Sequence, residues 1–398
     1  MDRVVFLVDM NAFFISCEAT RNPELQNKPA AVAGSPEKRT GIILASNYIA
    51  RKYGVRTAMT VHQGLKLCPE MLLVPPDHIF YEYKSSELIK TLYNYTPIIQ
   101  KNSIDEAWLD MTGTEKLFGT PVEAAKKIME EIKEKLGLWC SIGISENKFL
   151  SKMAADMKKP LGITELWKKD IEVKLWPLPI GKMYGVGKKT SKKLNTIGIT
   201  TIGDLARQKR DIVYKTLGNS GIELQQLARG IDPSPVEISS PDDMKSIGRS
   251  TTLPEDIRDL EKLKLILMDL SEDVARRARR HNKKGCCVQI TLKYSDFKVI
   301  TRQTTLAPTY FTKDIYEAGK ELLEKNFTSN KAVRLIGITL KGFDDNCDSQ
   351  QISLFSTELD GNKRYQSIDR VMDNIRNKYG KEKIGRASLL TYKDDKNQ

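Results

Sequence analysis

The chain opens on an unbroken apolar run, Val4-Val5-Phe6-Leu7-Val8, that stops at Asp9, a pattern that predicts a buried strand with a charge at its end. Asn11 follows. Because asparagine is a favoured N-cap, the spacing predicts a helix starting there and running through Phe13-Phe14-Ile15-Ser16-Cys17. After the turn at Asn22-Pro23, Gly41-Ile42-Ile43-Leu44-Ala45-Ser46 predicts a short strand ahead of a helical Asn47 to Tyr53, and residues up to Pro75-Pro76 read as one small insertion. From Ile79 to Leu92 the apolar positions recur at helical spacing. Ile98-Ile99-Gln100 and Ile104 to Asp110 predict a hairpin closing at Lys101-Asn102-Ser103, followed by a helix over Pro121 to Leu136 and a strand over Trp139 to Ile144. Strand, helix, hairpin, helix and strand make a split βαβ order, βαββαβ.

Beyond Pro160 the texture changes. Pro177 and Pro179 mark a linker, and a tight turn at Gly185 and Gly187 leads into a basic helix beginning Lys188-Lys189. Such a turn aims backbone N–H groups and a positive helix end at a phosphate. A second linker runs from Ile231 through Asp243. After it, a helix over Asp259 to Arg280 and strands at Cys287 to Leu292 and Val333 to Leu340 predict a separate α+β domain. Arg277, Arg280, Lys283 and Lys284 give this domain a single-signed basic edge suited to phosphate tracking, and Arg249 joins them as a candidate DNA contact.

Composition narrows the partner. The 398 residues carry 64 Lys+Arg against 51 Asp+Glu, a formal charge of +13, so the expected partner is polyanionic, either nucleic acid or an anionic membrane surface. No apolar run approaches a membrane span and the N-terminus lacks signal-peptide order, which points to a cytoplasmic protein without a membrane partner. The six cysteines show no Cys-x-x-Cys spacing and three histidines accompany them, so no zinc site is readable and reduced thiols are expected.

The candidate chemistry lies in acids on strand-like runs: Asp9, and the pair Asp105-Glu106 within Ser103 to Asp110. A carboxylate beside a core is costly unless partnered, and a divalent cation is the partner that accepts several at once. Hard oxygen ligands without nearby His or Cys point to Mg²⁺ or Mn²⁺. On a regular strand Asp105 and Glu106 face opposite sides, so both reach one site only if the nearby turn relaxes the alternation.

Four motifs in order, VDMNAFF at Val8 to Phe14, SNYIARKYGVRTAM at Ser46 to Met59, SIDEAWLD at Ser103 to Asp110 and NKFLSKMAADMKKPLG at Asn147 to Gly162, resemble the Y-family translesion DNA polymerases of the bacterial DinB/UmuC type. The resemblance implies an α+β multidomain right hand: a βαββαβ palm over residues 1–17 and 77–166, small fingers over 18–76, a helix-hairpin-helix thumb over 167–238, a DNA-binding little finger over 244–345 and a tail over 346–398. It implies template-directed nucleotidyl transfer of low fidelity in DNA damage tolerance, with primer-template DNA and dNTPs as substrates and a monomeric enzyme. Carried over by position, Asp9, Asp105, Glu106 and the backbone carbonyl of Met10 hold two Mg²⁺ ions, with Mn²⁺ able to substitute. Tyr48, Arg51 and Lys159 match the positions that hold the triphosphate, a task that suits a hydroxyl donor, a guanidinium fork and an ammonium. Phe14 matches the steric gate beside the sugar 2′ carbon, and Phe13, grouped with it among the nucleotide-binding residues, lies on another face of the helix and reads as core packing. Asn11 stands where many relatives carry a further acid, and the three-acid set remains intact.

In the tail, Gln351-Ile352-Ser353-Leu354-Phe355 resembles the bacterial sliding-clamp binding peptide, in which Gln351 would orient and Leu354 and Phe355 would fill an apolar pocket. A later helix is expected near Ser367 to Tyr379, and the alternative duty of the apolar residues is to dock this tail. The remaining tail is too short for an exonuclease domain, so proofreading is not expected. Two alternatives stay open: another two-metal phosphoryl-transfer enzyme on a palm fold, such as a nuclease or cyclase, and an inactive DNA- or clamp-binding protein.

Overall fold

The run at Val4 to Val8 becomes β1 (Val5–Met10), every residue of which is buried. The computed structural model describes residues 3–37, 39, 41–238, 244–328, 330–343, 359–380 and 383–389. It divides into two units, Met1–Pro36 with Gly41–Ser239, and Glu37–Thr40 with Ser240–Gln398. In the first unit β1 is followed by β2 (Ala30–Ala33), β3 (Ile43–Ser46), β4 (Leu72–Val74), β5 (Ile99–Lys101), β6 (Glu106–Asp110), β7 (Cys140–Ser145) and β8 (Ile163–Glu165).

The main sheet has the order β5-β6-β1-β7-β8, with β1 antiparallel to both β6 and β7. This is the expected βαββαβ arrangement, extended by β8 alongside β7. Burial on both faces explains why β1 is apolar throughout rather than alternating. Phe6, Val8 and Met10 join the core under the helices His78–Leu92 and Pro121–Leu136, while Val5 and Leu7 meet Trp108, Ala155 and Val236 on the opposite face. Asp9 has the parity of Val5 and Leu7. It therefore lies on the face covered by the helix Lys148–Met157.

The insertion forms its own sheet, β3-β2-β4, over a small core that includes Ile43, Val61 and Met71. A helical segment with a separate core, including Leu175, Leu194 and Val213, carries the helix Lys188–Asn195. The second unit holds β9 (Ser246–Ile257), β10 (Gly285–Tyr294), β11 (Val299–Thr309) and β12 (Val333–Lys341), ordered β11-β10-β12-β9 and antiparallel throughout. The helices Leu260–Arg280 and Thr312–Asn326 pack on this sheet. The tail helix extends over Leu359–Tyr379 and is tied to the same unit, with Arg279 donating to Asp369 at 3.0 Å and to Asp373 at 2.6 Å. Residues 351–355 lie outside the described residues. Among the described residues no helix is long and apolar enough to cross a membrane, and Cys17, Cys68, Cys140, Cys286 and Cys287 form no disulfide.

One local expectation is corrected. The first helix spans Phe13–Arg21 and its N-cap is Ala12, with φ 50° and no side-chain cap. Asn11 cannot cap because its side chain is committed elsewhere: Nδ2 donates to Ser141 Oγ at 3.0 Å and Oδ1 accepts from the Leu161 amide at 2.9 Å. Asn11 is 2 % exposed and stitches the end of β1 to β7 and to the turn after Lys159.

Candidate active site

Cross-strand register alone places Asp9 beside Glu106 on the same face of the sheet. Asp105 precedes β6 in the turn, where its backbone carbonyl accepts from the Met10 amide at 3.0 Å, so it is freed from the strict alternation that would turn it away. The three acids thus meet at the end of β1. Ser103 Oγ donates to Asp105 Oδ1 and holds that carboxylate.

Between Asp9 and Glu106 stands Lys152. Its Nζ lies 2.8 Å from Asp9 Oδ2 and also donates to Glu106 Oε1. Lys159 reaches the same Asp9 oxygen at 2.7 Å and Asp156 at 2.7 Å. Burial pushes the Asp9 carboxyl up, but its hydrogen bond with Glu106 and the charges of Lys159 and Lys152 outweigh it and leave it below its ordinary value. Burial and the neighbouring Asp9 drive Glu106 up to about 7 despite Lys152. For both lysines burial disfavours the charge, yet Asp9 and the adjacent acids raise their pKa above the usual range.

A cleft of about 290 Å³ opens on these groups. All nine residues marked for metal or nucleotide contact line it: Asp9, Met10, Phe13, Phe14, Tyr48, Arg51, Asp105, Glu106 and Lys159. Tyr48 and Arg51 come from the short helix Tyr48–Lys52. That helix is fixed by Asn47, whose side chain caps the Ala50 amide at 2.9 Å and donates to the carbonyls of Leu25 and Lys28. The Arg51 guanidinium lies 4.7 Å from the Tyr48 ring centroid, and its Nε donates to the Ser46 carbonyl at 3.0 Å. Burial raises the Tyr48 hydroxyl pKa, so it is a neutral donor at physiological pH. Phe13 packs into the core at 3 % exposure, as expected. Phe14 is stacked on Tyr81 at 4.5 Å between ring centroids, and the Tyr81 hydroxyl donates to Glu18 at 2.7 Å.

The donor set suits a hard cation. Three acids and Met10 line a cleft with no thiol or imidazole among its lining, and burial together with the crowding of Asp9 raises Glu106. Among the described residues, no three acid, thiol or imidazole side chains already converge on a single ion position. The reason is visible in the hydrogen bonds: Lys152 and Lys159 take up the Asp9 and Glu106 oxygens, and Ser103 takes up Asp105. Lys152 and Tyr81 do not stand out in the sequence. The available signal for Lys152 is its spacing with Phe149, Met153 and Asp156 at helical intervals, which turns a lysine inward.

None of the candidate DNA contacts lines the cleft. Gly185, at φ +87°, and Gly187, which caps the helix Lys188–Asn195, are exposed with Lys188 and Lys189, while Val186 is buried and anchors the turn. In the second unit Arg249 pairs with Asp273 at 3.2 Å, and Arg277 donates to the Gly248 carbonyl at 3.0 Å. Arg280 and Lys284 are exposed at the end of the helix Leu260–Arg280, and Lys283 is half-buried beside them.

Residues 8–156 match the model of the impB/mucB/samB family, residues 244–354 that family's C-terminal domain, and residues 168–199 the IMS family HHH motif. The DNA polymerase IV of Alkaliphilus oremlandii (strain OhILAs) is 61% identical over 396 residues, covering 98% of this chain and 100% of that protein. That of Clostridium kluyveri is 56% identical, covering 98% and 99%. Among solved structures, the Y-family DNA polymerase chimera Dbh-Dpo4(243-245)-Dbh superposes with a TM-score of 0.76 at 27% identity, covering 85% of this chain and 99% of that one. With its fold and nearly its full length accounted for by these relatives, the chain belongs to the impB/mucB/samB family and is a translesion DNA polymerase of the Y family.

Proposed function

We propose that the cleft at the end of β1 is where a primer 3′ end meets the incoming dNTP, with Asp9, Asp105, Glu106 and the Met10 carbonyl holding two Mg²⁺ ions, or Mn²⁺ in their place. The observation that carries this reading is the convergence of all nine marked residues on one cleft. Bound there, the cations supply the charge that activates the primer hydroxyl and stabilises the leaving pyrophosphate. The chain's own groups position the substrate. Arg51 forks onto phosphate oxygens, Lys159 turns from Asp9 to the triphosphate, and the neutral Tyr48 hydroxyl donates a hydrogen bond. The Phe14 ring, backed by Tyr81, closes the space a ribose 2′-hydroxyl would need. Arg51→Ala and Lys159→Ala should each raise the dNTP KM at least about tenfold, the loss of one charged hydrogen bond, with unchanged DNA affinity. An unchanged KM in both variants would remove these residues from the triphosphate site.

The division of labour follows the same reading: palm over residues 1–17 and 77–166, fingers over 18–76, thumb over 167–238, little finger over 244–345, and a single chain acting as a monomer in the cytoplasm. The exposed turn at Gly185 and Gly187 with Lys188 and Lys189 grips the DNA backbone. Gln351, Leu354 and Phe355 bind a sliding clamp. The tail helix Leu359–Tyr379 has its own anchors in Asp369, Asp373 and Arg376, so docking it does not require Leu354 and Phe355. Leu354→Ala with Phe355→Ala should leave unassisted primer extension intact and remove stimulation by a loaded clamp. Loss of basal extension with clamp binding retained would assign the pair to docking instead.

A further inference from the structure

A second cleft, of about 710 Å³, lies wholly in the second unit, between the C-terminal end of the helix Leu260–Arg280 and the tail helix Leu359–Tyr379. Five arginines line it against one acid, Asp373. Two of the five are already used. Arg279 binds Asp369 and Asp373 and so fastens the tail helix as a wall, and Arg276 donates to Asp273 at 3.2 Å. Arg277 meets only the Gly248 carbonyl, and Arg280 and Arg370 have no hydrogen-bond or ion-pair partner among the described residues. Three guanidinium charges therefore face one small concavity without a carboxylate to neutralise them, an arrangement that repels itself unless an anion binds.

We propose that this cleft binds the phosphodiester backbone of single-stranded nucleic acid, at a site separate from the catalytic cleft. Guanidinium forks match phosphate oxygens in pairs. Tyr310, half-buried and with Lys284 Nζ 5.8 Å from its ring centroid, adds an aromatic surface of the kind on which bases stack. The carboxamides of Asn282, Asn374 and Asn377 line the same space and can pair with base edges. An acidic peptide would pair with the arginines and the amides but brings no base to stack on the ring. The volume falls in the ~300–1,000 Å³ range of small-ligand sites, room for about one or two nucleotides of a strand and not for a duplex. One wall, carrying Arg370, Asn374 and Asn377, lies beyond residue 354, where the match to the family's C-terminal domain ends.

The test is fluorescence anisotropy of a labelled oligo-dT strand with the full chain and no dNTP, so that turnover plays no part and failure leaves the polymerase assignment standing. Arg370→Glu should weaken binding at least about tenfold and reduce the salt slope by about 1 for each phosphate no longer neutralised. Lys325→Glu, an equal single charge reversal outside the cleft, should change affinity less than about twofold, since exposed charges are screened. Arg370→Gln gives the milder version, an intermediate loss. Unchanged oligo-dT affinity, or a loss no larger than that of Lys325→Glu, overturns the proposal. So does loss of poly-glutamate binding as large as the loss of oligo-dT binding, which would make this an acidic-peptide site.

Discussion

At the residue scale the proposed active-site cleft is a problem in charge balance. Asp9 is 3 % exposed beside Glu106, and two such carboxylates cannot both ionise in a dry site without a cation between them. Lys152 fills that role in the present arrangement and competes with any divalent ion for the same oxygens. Lys152→Met should therefore lower the Mg²⁺ concentration needed for half-maximal rate while lowering kcat, because the acids lose the group that orients them. A Mg²⁺ titration of steady-state extension checks this, and a raised Mg²⁺ requirement with normal kcat would contradict it. Phe14→Ala should raise rNTP use relative to dNTP by about ten- to a hundredfold, the usual reach of steric discrimination. Tyr81→Leu should give a smaller shift in the same direction, since Phe14 loses the ring it stacks on. Unchanged sugar selection in both variants would place the gate elsewhere. The acids were legible in the sequence because a charge that interrupts an apolar run is conspicuous. Lys152 was not, because a lysine on a helix reads as solvated until its burial against Asp9 is seen.

At the element scale, close approach decides the site. The helix Lys148–Met157 can bring Lys152 down to the sheet only because β7 presents Gly143: a Cβ there would lie 1.9 Å from the Ser151 carbonyl oxygen and 2.4 Å from the Ala155 nitrogen. Both contacts are backbone and cannot turn aside. Gly143→Ala should cost at least ~1–3 kcal/mol in stability and depress extension, as overpacking pushes the helix off the sheet. A variant as stable and active as the parent would show that the helix position is not critical. The helix Ile202–Arg207 supplies a pH-dependent test. The Thr201 amide, helped by Thr200, holds the Asp204 carboxyl down at about 2 against the effect of burial. A depressed carboxylate stabilises the fold above its unfolded value of 3.8, and this contribution disappears as pH falls from about 4 to 2. Hydrogen exchange over residues 200–208 should be several-fold faster in Asp204→Ala at pH 5, about 1 kcal/mol of capping, with the gap closing toward pH 2. A gap independent of pH would point to lost packing. The central strands and the longer helices were legible because burial on one or two faces leaves a regular apolar pattern. The edge strands β9 and β11 were not, because their residues are mostly exposed and mix polar and apolar side chains without such a pattern. The cap at Asn11 misled for a different reason: a long-range bond to Ser141 outcompeted the local one.

At the scale of the whole molecule, the order of motifs along the chain was enough to expect several modules and a polymerase. The residual basic charge was enough to expect a polyanionic substrate. What the sequence concealed was how the tail helix joins the second unit, since the Arg279, Asp369 and Asp373 contacts link residues about ninety positions apart. The stretches of these 398 residues that the family models do not match run to 44 residues at most, shorter than the ~50 residues of a small domain, so these residues by themselves should not remove a mismatched 3′ nucleotide. Measurable excision would contradict this. Affinity for primer-template DNA should fall linearly on a log-log salt plot, because phosphate contacts dominate binding. The most direct test of the account is single-turnover extension of a bound primer-template by Asp105→Asn with Glu106→Gln in saturating Mg²⁺. Loss of at least about a thousandfold in rate, equivalent to some 4 kcal/mol of barrier, with DNA affinity unchanged, is the predicted result. A near-normal rate would mean that the acids at the end of β1 do not carry the chemistry.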